Sequence, residues 1–341
     1  MESSSKKISI IFPSYNGEKF LRRNLDSIMG LKNLNEIELV IIENNSSDSS
    51  EKIINSYSNS IDINLIKQNK NLGFARACNI GALHAKGEFI FITNQDVVFY
   101  PDTFKKLINL YKEIKSDEEI VISPALVFEN GTIHYFGAIY HFLGFSYTPE
   151  ITQPLPLNKI QKLTQRLSGG TLFIKKDLFL EMKGFDGTLF MYYEDTDLSL
   201  RLMRRGIKIY TTNDPYVIHQ KHDMIMKAFH YFLLERNRFI VYLKNIKINK
   251  KFFPFFFLLE LVLIFQAIII KKFPLRVRIY LQLMDHIELL KKIRKKSQQE
   301  GPLLSSHYFK RGLDSCLLGE LVNNKILNKF LNLFNRFLKV I

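Results

Sequence analysis

The sequence predicts an α/β fold built on a parallel sheet, and three observations support that prediction. Apolar, β-branched runs alternate with helix-like segments through the first hundred residues of this 341-residue chain. The connections between them are short, and polar residues follow three of the apolar runs. Parallel strands joined by crossover helices produce this order, and the helices then cover both faces of the sheet.

Four strands and four helices are predicted in the first part of the chain. The strands are apolar runs rich in β-branched residues, at residues 7–12, 38–42, 61–66 and 88–93. The helices have apolar or alanine-rich faces or follow capping residues, at residues 21–30, 51–57, 73–86 and from Pro101 onwards.

The middle of the chain is less regular. Residues 128–162 are rich in aromatic residues and proline, which predicts strands and a mobile loop. The elements predicted after it are strands at 167–174, 207–211 and 216–219 and helices at 177–183, 194–205 and 224–245. A domain boundary is predicted at residue 245, between residues 1–245 and a helical region of residues 246–341.

Polar residues follow the first, second and fourth predicted strands. They are Tyr15-Asn16, Glu43-Asn44-Asn45 and Asn94-Gln95-Asp96. Ligands of parallel sheets bind at the carboxyl ends of the strands. The sequence therefore predicts that these three segments lie on one rim and form a binding site.

Three carboxylates at the start of the predicted helix 194–205 have two interpretations. Unpaired backbone N–H groups and the helix dipole favour acids such as Glu194, Asp195 and Asp197 at a helix start, which is a purely structural explanation. Repulsion among three acids can also raise one pKa into the range of a general base.

Charge separates the last third of the chain from the rest. Residues 219–341 hold 23 basic and 8 acidic residues, against 25 of each in residues 1–218, so the net charge of +15 lies entirely in this part. Basic residues alternate there with apolar runs, which favours an anionic membrane surface over nucleic acid as a partner. Two cysteines at no metal or redox spacing fit a reducing cytosol.

A series of short motifs runs along residues 7–245. They are FPSYNG at 12–17, IENNSSD at 42–48, NLGFAR at 71–76, TNQD at 93–96, SGG at 168–170, GFD at 184–186 and YEDTDL at 193–198, followed by His219 and RNR at 236–238. Each is common alone, but their order and spacing resemble family 2 glycosyltransferases of the GT-A fold. Within that family, the chain is most similar to the rhamnosyltransferase-like enzymes of cell-surface glycans.

The resemblance implies that the rim binds a nucleotide sugar. Pro13 and Tyr15 would hold the base, and Glu43 would accept a hydrogen bond from it, where the family usually has Asp. Arg76 matches a basic residue that lies near the base or the diphosphate in this family. A solvated arginine on a helix is an equal alternative. The other residues implied in donor binding are Asn16, Asn45, Asn94, Gln95 and Gly170.

The resemblance also implies a Mg²⁺ or Mn²⁺ cofactor. Residues 94–96 occupy the position of the family's DxD motif, where a divalent cation stabilises the diphosphate leaving group. Asp96, the one anionic residue of the three, is the expected metal ligand, and His219 is the second. The alternatives are a turn aspartate and a structural histidine.

The catalytic base implied by the resemblance is Asp195. It would take the proton of the acceptor hydroxyl as that oxygen attacks the anomeric carbon, which inverts the configuration. Glu194 is the alternative base or an acceptor anchor. Asp197 and Arg201 are four residues apart and are expected to pair along the helix.

The segment 252–270 is apolar but contains Pro254, Glu260 and Gln266. We expect a helix on the cytoplasmic leaflet, with a single membrane span as the alternative. Residues 276–296 and 326–340 are amphipathic and basic and fit the same surface. A helical subdomain, or a contact between copies in a homo-oligomer, also explains these segments.

Together these features predict an inverting glycosyltransferase with a nucleotide-sugar donor and a lipid-linked or cell-surface glycan acceptor. The expected location is peripheral, on the cytoplasmic face of the cell membrane, with no nucleic-acid partner. The alternative is a non-catalytic protein of the same fold that binds nucleotide sugars or glycans. Residues 128–162 are expected to face the acceptor.

Overall fold

The computed structural model describes residues 6–114, 118–141, 143–220, 227–247, 249–250, 253–305 and 309. These residues fall into two compact units. The first lies in Met1–Ala138 and Glu150–Met224, and the second in Ile139–Pro149 and Ile225–Ile341. The helix Ala228–Asn245, predicted as part of the first domain, belongs to the second unit.

The described residues contain fourteen strands, most of them in the first unit. They are β1 (Ile8–Ser14), β2 (Ile37–Glu43), β3 (Ile63–Lys67), β4 (Phe89–Thr93), β5 (Val97–Val98), β6 (Ile120–Ile122), β7 (Ala125–Phe128), β8 (Ile133–Tyr135), β9 (Ile139–Tyr140), β10 (Ser146–Tyr147), β11 (Gln161–Thr164), β12 (Thr171–Lys175), β13 (Lys208–Thr212) and β14 (Tyr216–His219). Eight form one sheet in the order β11-β13-β6-β12-β4-β1-β2-β3, and β5-β14-β7-β8 form a second sheet. In the second unit, β9 pairs with β10.

The large sheet is mixed, whereas the sequence predicted a parallel sheet from the order of its first four strands. Strands β1 to β4 are parallel as predicted, but β12 runs antiparallel to β4 and β6, and β11 antiparallel to β13. Four of the five residues of β12 are buried, so its apolar run resembles that of a central parallel strand. Residues 168–170 precede β12 rather than lying inside a strand.

Ten α-helices occur in the described residues. They are α1 (Glu18–Met29), α2 (Ser50–Asn55), α3 (Gly73–His84), α4 (Thr103–Ile114), α5 (Lys176–Glu181), α6 (Glu194–Arg204), α7 (Ala228–Asn245), α8 (Phe253–Ile269), α9 (Phe273–Asp285) and α10 (Ile287–Gln299). The amphipathic segment predicted at 276–296 is two helices that meet at His286. The segment predicted at 326–340 lies outside the described residues.

Apolar side chains cover both faces of the large sheet. Alternate residues of a strand point to opposite faces, so Ile10 of β1 packs in a cluster with α1 and α4, while Ile11 packs in a cluster with α3, α5 and α6. The carboxyl ends of β1, β2 and β4 therefore emerge between two filled layers. Among the described residues, we find no helix with the length and hydropathy needed to cross a membrane.

Candidate active site

Three loops at the carboxyl rim of the large sheet are tied directly to one another. The Tyr15 N–H donates to Gln95 Oε1, and Gln95 Nε2 donates to the Tyr15 carbonyl, each at 3.1 Å. The Asn16 N–H donates to Ser46 Oγ at 3.1 Å, and the Ser47 N–H donates to Asn16 Oδ1 at 2.8 Å. The structure thus brings together the polar segments that follow β1, β2 and β4.

The Glu43 carboxylate, at the end of β2, is buried and holds the turn of its own loop. Its Oε2 accepts the Asn45 N–H at 3.0 Å, and its Oε1 accepts the Ser46 N–H at 2.7 Å. Asn45 has a positive φ of 65°, a conformation that Asn tolerates better than most residues. The contact between Glu43 and a nucleotide base stays a prediction.

Pro13 and Arg76 occupy two further positions that the sequence links to nucleotide binding. Pro13 lies inside β1, opposite Ile42 in the strand register, and is partly buried. Arg76 is exposed on α3, and its Nε donates to the Gly187 carbonyl at 2.9 Å. This bond ties α3 to the loop before α6. Nucleotide contact by either residue stays a prediction.

Gly169 and Gly170 lie between the loop after β4 and the start of α6. A Cβ at Gly170 would be 3.1 Å from Asn94 Nδ2, and one at Gly169 would be 3.3 Å from Glu194 Oε1. The Gly170 carbonyl also accepts the Thr93 hydroxyl at 2.9 Å. The two glycines therefore allow Asn94 of the loop after β4 and the first turn of α6 to approach the same short segment.

Asp96 lies beside a stack of two imidazole rings. His219 Nε2 is 3.3 Å from Asp96 Oδ2, and the His134 ring stacks on the His219 ring with centroids 4.9 Å apart. Burial, together with the charges of His219 and Arg166, lowers the pKa of His134 to about 4, so this ring is neutral at pH 7. Asp96 Oδ1 is buried and has no hydrogen-bond partner in the described part of the chain.

The chemistry of Asp96 and His219 fits a divalent cation. A buried carboxylate oxygen without a partner beside an imidazole nitrogen suits Mn²⁺, whereas Mg²⁺ prefers oxygen ligands alone. The residues that the structure describes contain no group of three His, Cys, Asp or Glu side chains placed to hold a metal ion. Asp96 and His219 would therefore be the two side chains that hold a cation here, and it would supply positive charge beside them.

Asp195, in the first turn of α6, is held by Arg166. Arg166 Nη1 is 2.8 Å from Asp195 Oδ2, and the two side chains are only 18% and 15% exposed. The Thr196 N–H donates to Asp195 Oδ1 at 2.6 Å, and the Gly169 N–H donates to Oδ2 at 3.4 Å. These contacts fix the direction of the carboxylate, which a general base requires.

Glu194 lies in a different environment from its neighbour. Its side chain is buried, and its Oε2 accepts no hydrogen bond from any residue that the structure describes. Burial, and secondly the charge of Asp195, raise the pKa of Glu194 to about 8. At pH 7 this side chain is therefore mostly protonated, so Asp195 is the better candidate for the base.

Asp197 has the structural role that its spacing to Arg201 predicts. Arg201 Nε lies 2.8 Å from Asp197 Oδ2, and the aspartate is fully buried. Arg201 also donates to the carbonyls of Met182 and Gly184. The pair anchors α6 to the segment that follows α5.

The loop before α6 has an unusual backbone. Phe190, Tyr192 and Tyr193 all have a positive φ, between 66° and 68°. The Phe190 carbonyl accepts the Ala75 N–H at 3.1 Å, and so occupies the N-terminus of α3. Bulky residues in this conformation are strained and persist where the surroundings hold them, often at functional sites.

Sequence reasoning missed Arg166 and His134. His134 lies in the irregular region 128–162 and Arg166 lies just after it, and no motif marks either residue. For His134 the available signal was the alternation Ile133-His134-Tyr135, which places one polar side chain between two buried ones on β8. For Arg166 we find no signal, because its partner Asp195 is 29 residues away in sequence.

Two surface hollows lie elsewhere in the first unit. One of about 350 Å³ is lined in part by Lys7, Glu88 and Tyr111, and one of about 150 Å³ in part by Tyr100 and Tyr216. The larger hollow is at the ends of β1 and β4 opposite the carboxyl rim, where sheets of this type do not bind their ligands. We therefore place the candidate site at the carboxyl rim, on the basis of its polar and acidic side chains, and not at either hollow.

Comparison with known proteins identifies the family. The model of Glycosyl transferase family 2 matches residues 9–182, about half of the chain, and the chain belongs to this family. An uncharacterized glycosyltransferase of Rickettsia typhi, RT0329, is 26% identical over 64% of this chain and 65% of its own length. The minor teichoic acid biosynthesis protein GgaB of Bacillus subtilis is 30% identical over 38% of this chain.

These matches cover limited parts of the relatives. The chain spans less than two thirds of the length of RT0329 and only 15% of GgaB. Among solved structures, the crystal structure of GalNAc-T7 with UDP, GalNAc and Mn²⁺ is similar with a TM-score of 0.57 and 17% identity, over 72% of this chain and 49% of that chain. This similarity concerns the fold. The predicted GT-A-like α/β architecture is confirmed in its coarse form.

Proposed function

We propose that this glycosyltransferase is an inverting enzyme that transfers a sugar from a nucleotide sugar to a hydroxyl of a lipid-linked or cell-surface glycan. The observation that carries the proposal is the approach of the loop after β4 and the start of α6 to the same glycine pair. The loop that carries the metal-ligand candidate Asp96 and the helix start that carries Asp195 thus both reach one segment of the rim. Membership of the rhamnosyltransferase-like subgroup stays a prediction.

In this mechanism Asp195 acts as the general base. The acceptor oxygen forms a bond to the anomeric carbon while the bond from that carbon to the diphosphate breaks on the opposite face. The hydroxyl proton passes to the Asp195 carboxylate, and the nucleoside diphosphate leaves with the bonding electrons. Arg166 holds the carboxylate in position at 2.8 Å. Glu194, protonated at pH 7, adds no second negative charge beside the base.

A divalent cation held by Asp96 and His219 would neutralise charge that develops on the leaving diphosphate. One oxygen of the Asp96 carboxylate is buried without a partner among the described residues, and the other lies 3.3 Å from the imidazole of His219. The stacked His134 ring limits the orientations that the His219 ring can adopt. The polar loops that carry Tyr15 and Gln95 would bind the nucleotide part of the donor.

The test uses the purified full chain with a panel of nucleotide sugars, Mn²⁺ or Mg²⁺, and release of nucleoside diphosphate as the signal. The GalNAc-T7 crystal structure contains UDP and Mn²⁺, so UDP-sugars with Mn²⁺ are the first probes. We expect metal-stimulated turnover in the wild-type chain. Asp195→Asn should lower kcat by about 100-fold or more, because general-base catalysis contributes roughly this much.

The matched control is Asp177→Asn, which removes an exposed acid from the first turn of α5. Its turnover should equal that of the wild type. A folded Asp195→Asn variant with unchanged kcat would refute the assignment of the base. Tight donor binding without turnover in the wild type would favour the non-catalytic binding protein instead.

A further inference from the structure

Helices α8 and α9 of the second unit each expose a stripe of large apolar side chains. Most of the exposed residues recur every three or four positions. They are Phe253, Phe257, Leu258, Leu261, Phe265, Ile268 and Ile269 on α8 and Phe273, Val277, Leu281 and Met284 on α9. Phe257 and Met284 are each 68% exposed. Contiguous apolar surface of this kind on a soluble protein marks an interaction site.

The polar side of α8 faces inward, onto α7 and α9. Glu260 Oε1 lies 2.5 Å from Arg238 Nη2, and Glu260 Oε2 lies 2.7 Å from Arg276 Nη2. Both arginine side chains are only 1% exposed. The Tyr280 hydroxyl also donates to Glu260 Oε2 at 2.6 Å, and Arg276 Nη1 lies 2.7 Å from Glu235 Oε2.

Because of this buried network, the charge of Glu260 no longer argues against contact between α8 and lipid. A carboxylate in the middle of an apolar helix is costly next to lipid, and in the sequence Glu260 counted against a membrane span of this segment. Here its charge is paired with two guanidinium groups on the inner side of the helix, so the outer stripe remains purely apolar. The network also fixes which face of α8 points outward.

Charge on the second unit favours an anionic partner. Exposed basic residues of α9, α10 and the preceding turn include Lys271, Arg278, Lys291, Lys292, Lys295 and Lys296. Within the described residues 253–299 the acids are the inward Glu260, Asp285 and Glu288, and Glu288 pairs with Lys291. Lysine and arginine near a negatively charged leaflet are attracted to its surface and strengthen binding.

We propose that the apolar stripes of α8 and α9 insert into one leaflet of an anionic lipid membrane, with both helices lying along its surface. At 17 residues, α8 is about 25 Å long, shorter than the hydrocarbon core of roughly 30 Å. Peripheral insertion therefore fits better than a span. The proposal is independent of the proposed activity, but it would bring the enzyme to a lipid-linked acceptor.

The experiment is co-sedimentation of the full chain with vesicles of phosphatidylcholine containing phosphatidylglycerol, compared with vesicles of phosphatidylcholine alone. The face variant carries Phe257→Gln, Phe265→Gln and Met284→Gln. The control variant carries Leu83→Gln, Leu157→Gln and Leu163→Gln, which change three exposed leucines of the first unit. All six side chains are exposed, so both variants should keep the wild-type circular dichroism.

We expect the wild type and the control to bind the anionic vesicles and to bind the neutral ones more weakly. The face variant should lose at least tenfold in its partition coefficient, since removing one large apolar side chain from lipid costs about 1.5–3 kcal/mol. Its turnover on a soluble acceptor should match that of the wild type. This last measurement separates failure of the membrane proposal from failure of the proposed activity.

Two outcomes would overturn the proposal. The first is a face variant that binds anionic vesicles as well as the control does. The second is a wild-type chain that stays in the supernatant at low salt. In that case light scattering tests the other occupant: a dimer that the face variant dissociates shows a second copy on the stripes.

Discussion

Glu194 and Asp195 are neighbours in sequence whose surroundings give them different chemistry. Asp195 faces Arg166, whereas Glu194 is buried without a hydrogen-bond partner for its Oε2 among the described residues. Burial and the charge of Asp195 raise the pKa of Glu194 from an ordinary 4.5 to about 8. The folded chain thus keeps a proton that the unfolded chain has already released, and stability depends on pH through this group.

Glu194→Gln should make the chain less sensitive to pH. In the wild type the folded state binds more protons between pH 4.5 and 8, so this group's contribution to the free energy of unfolding falls as pH rises through that window. Glutamine does not titrate. The stability of the variant relative to the wild type should therefore rise from pH 5 to pH 8 and then level off.

Urea denaturation at pH 5, 6, 7, 8 and 9 measures this difference, with Asp177→Asn as an exposed control. A difference between Glu194→Gln and the wild type that stays constant over the whole range would show that Glu194 is ionised in the folded chain. The choice of base would then be open again between the two acids.

Individual residues of the candidate site were predictable where they follow a strand or begin a helix. The segments after β1, β2 and β4 meet because the strands are parallel neighbours, which the apolar pattern indicates. Arg166 and His134 were not predictable in this way. Their positions depend on long-range packing of irregular segments, for which neither periodicity nor spacing provides a signal.

Among the elements, α3 and the loop before α6 make a close junction at Gly73. Gly73 begins α3 with a φ of +78°, and a Cβ there would lie 2.5 Å from both the Phe190 carbonyl and its ring. The backbone carbonyl cannot rotate away, because it accepts the Ala75 N–H. A side chain at Gly73 would therefore push the loop away from the helix.

Gly73→Ala should destabilise the chain more than Gly206→Ala does. Both glycines have nearly the same φ, +78° and +77°, but a Cβ at Gly206 would meet nothing within 4 Å. Each substitution should cost about 1 kcal/mol for the left-handed backbone. Gly73→Ala should cost roughly 1–3 kcal/mol more, because overpacking a filled site has this penalty.

The free energy of unfolding of the two variants, measured in urea, isolates the steric term. Equal losses of stability would mean that the loop before α6 moves freely away from α3.

Strand direction is a property at this same scale that the sequence did not predict. An apolar run such as β12 is buried in either direction, so its hydrophobic pattern is the same.

On the scale of the whole chain, the second unit contains buried ion pairs whose charged residues hydropathy alone would predict to destabilise it. The sequence shows Glu260 in an apolar helix, but it does not show that Arg238 and Arg276 lie against it. These partners come from α7 and α9, 22 and 16 residues away. Only the packing of three helices reveals that the charge is compensated.

Glu260→Leu should destabilise the second unit, although leucine is the more apolar residue. Removing one partner of a buried ion pair leaves uncompensated charge and costs about 3–5 kcal/mol. The exposed Leu261→Ala is the control and should change stability by no more than about 0.5 kcal/mol. Loss of helical circular dichroism during urea titration gives the measurement. A Glu260→Leu variant as stable as the control would mean that Arg238 and Arg276 reach water.

Tyr15, Asn16 and Gln95 hold the rim loops together through hydrogen bonds between the protein's own atoms. An incoming nucleotide would meet loops whose backbone is already ordered, and it would lose little conformational freedom of the protein on association. Calorimetry should then find a small entropic penalty for donor binding. The speed of capture would be governed by encounter and orientation rather than by loop closure.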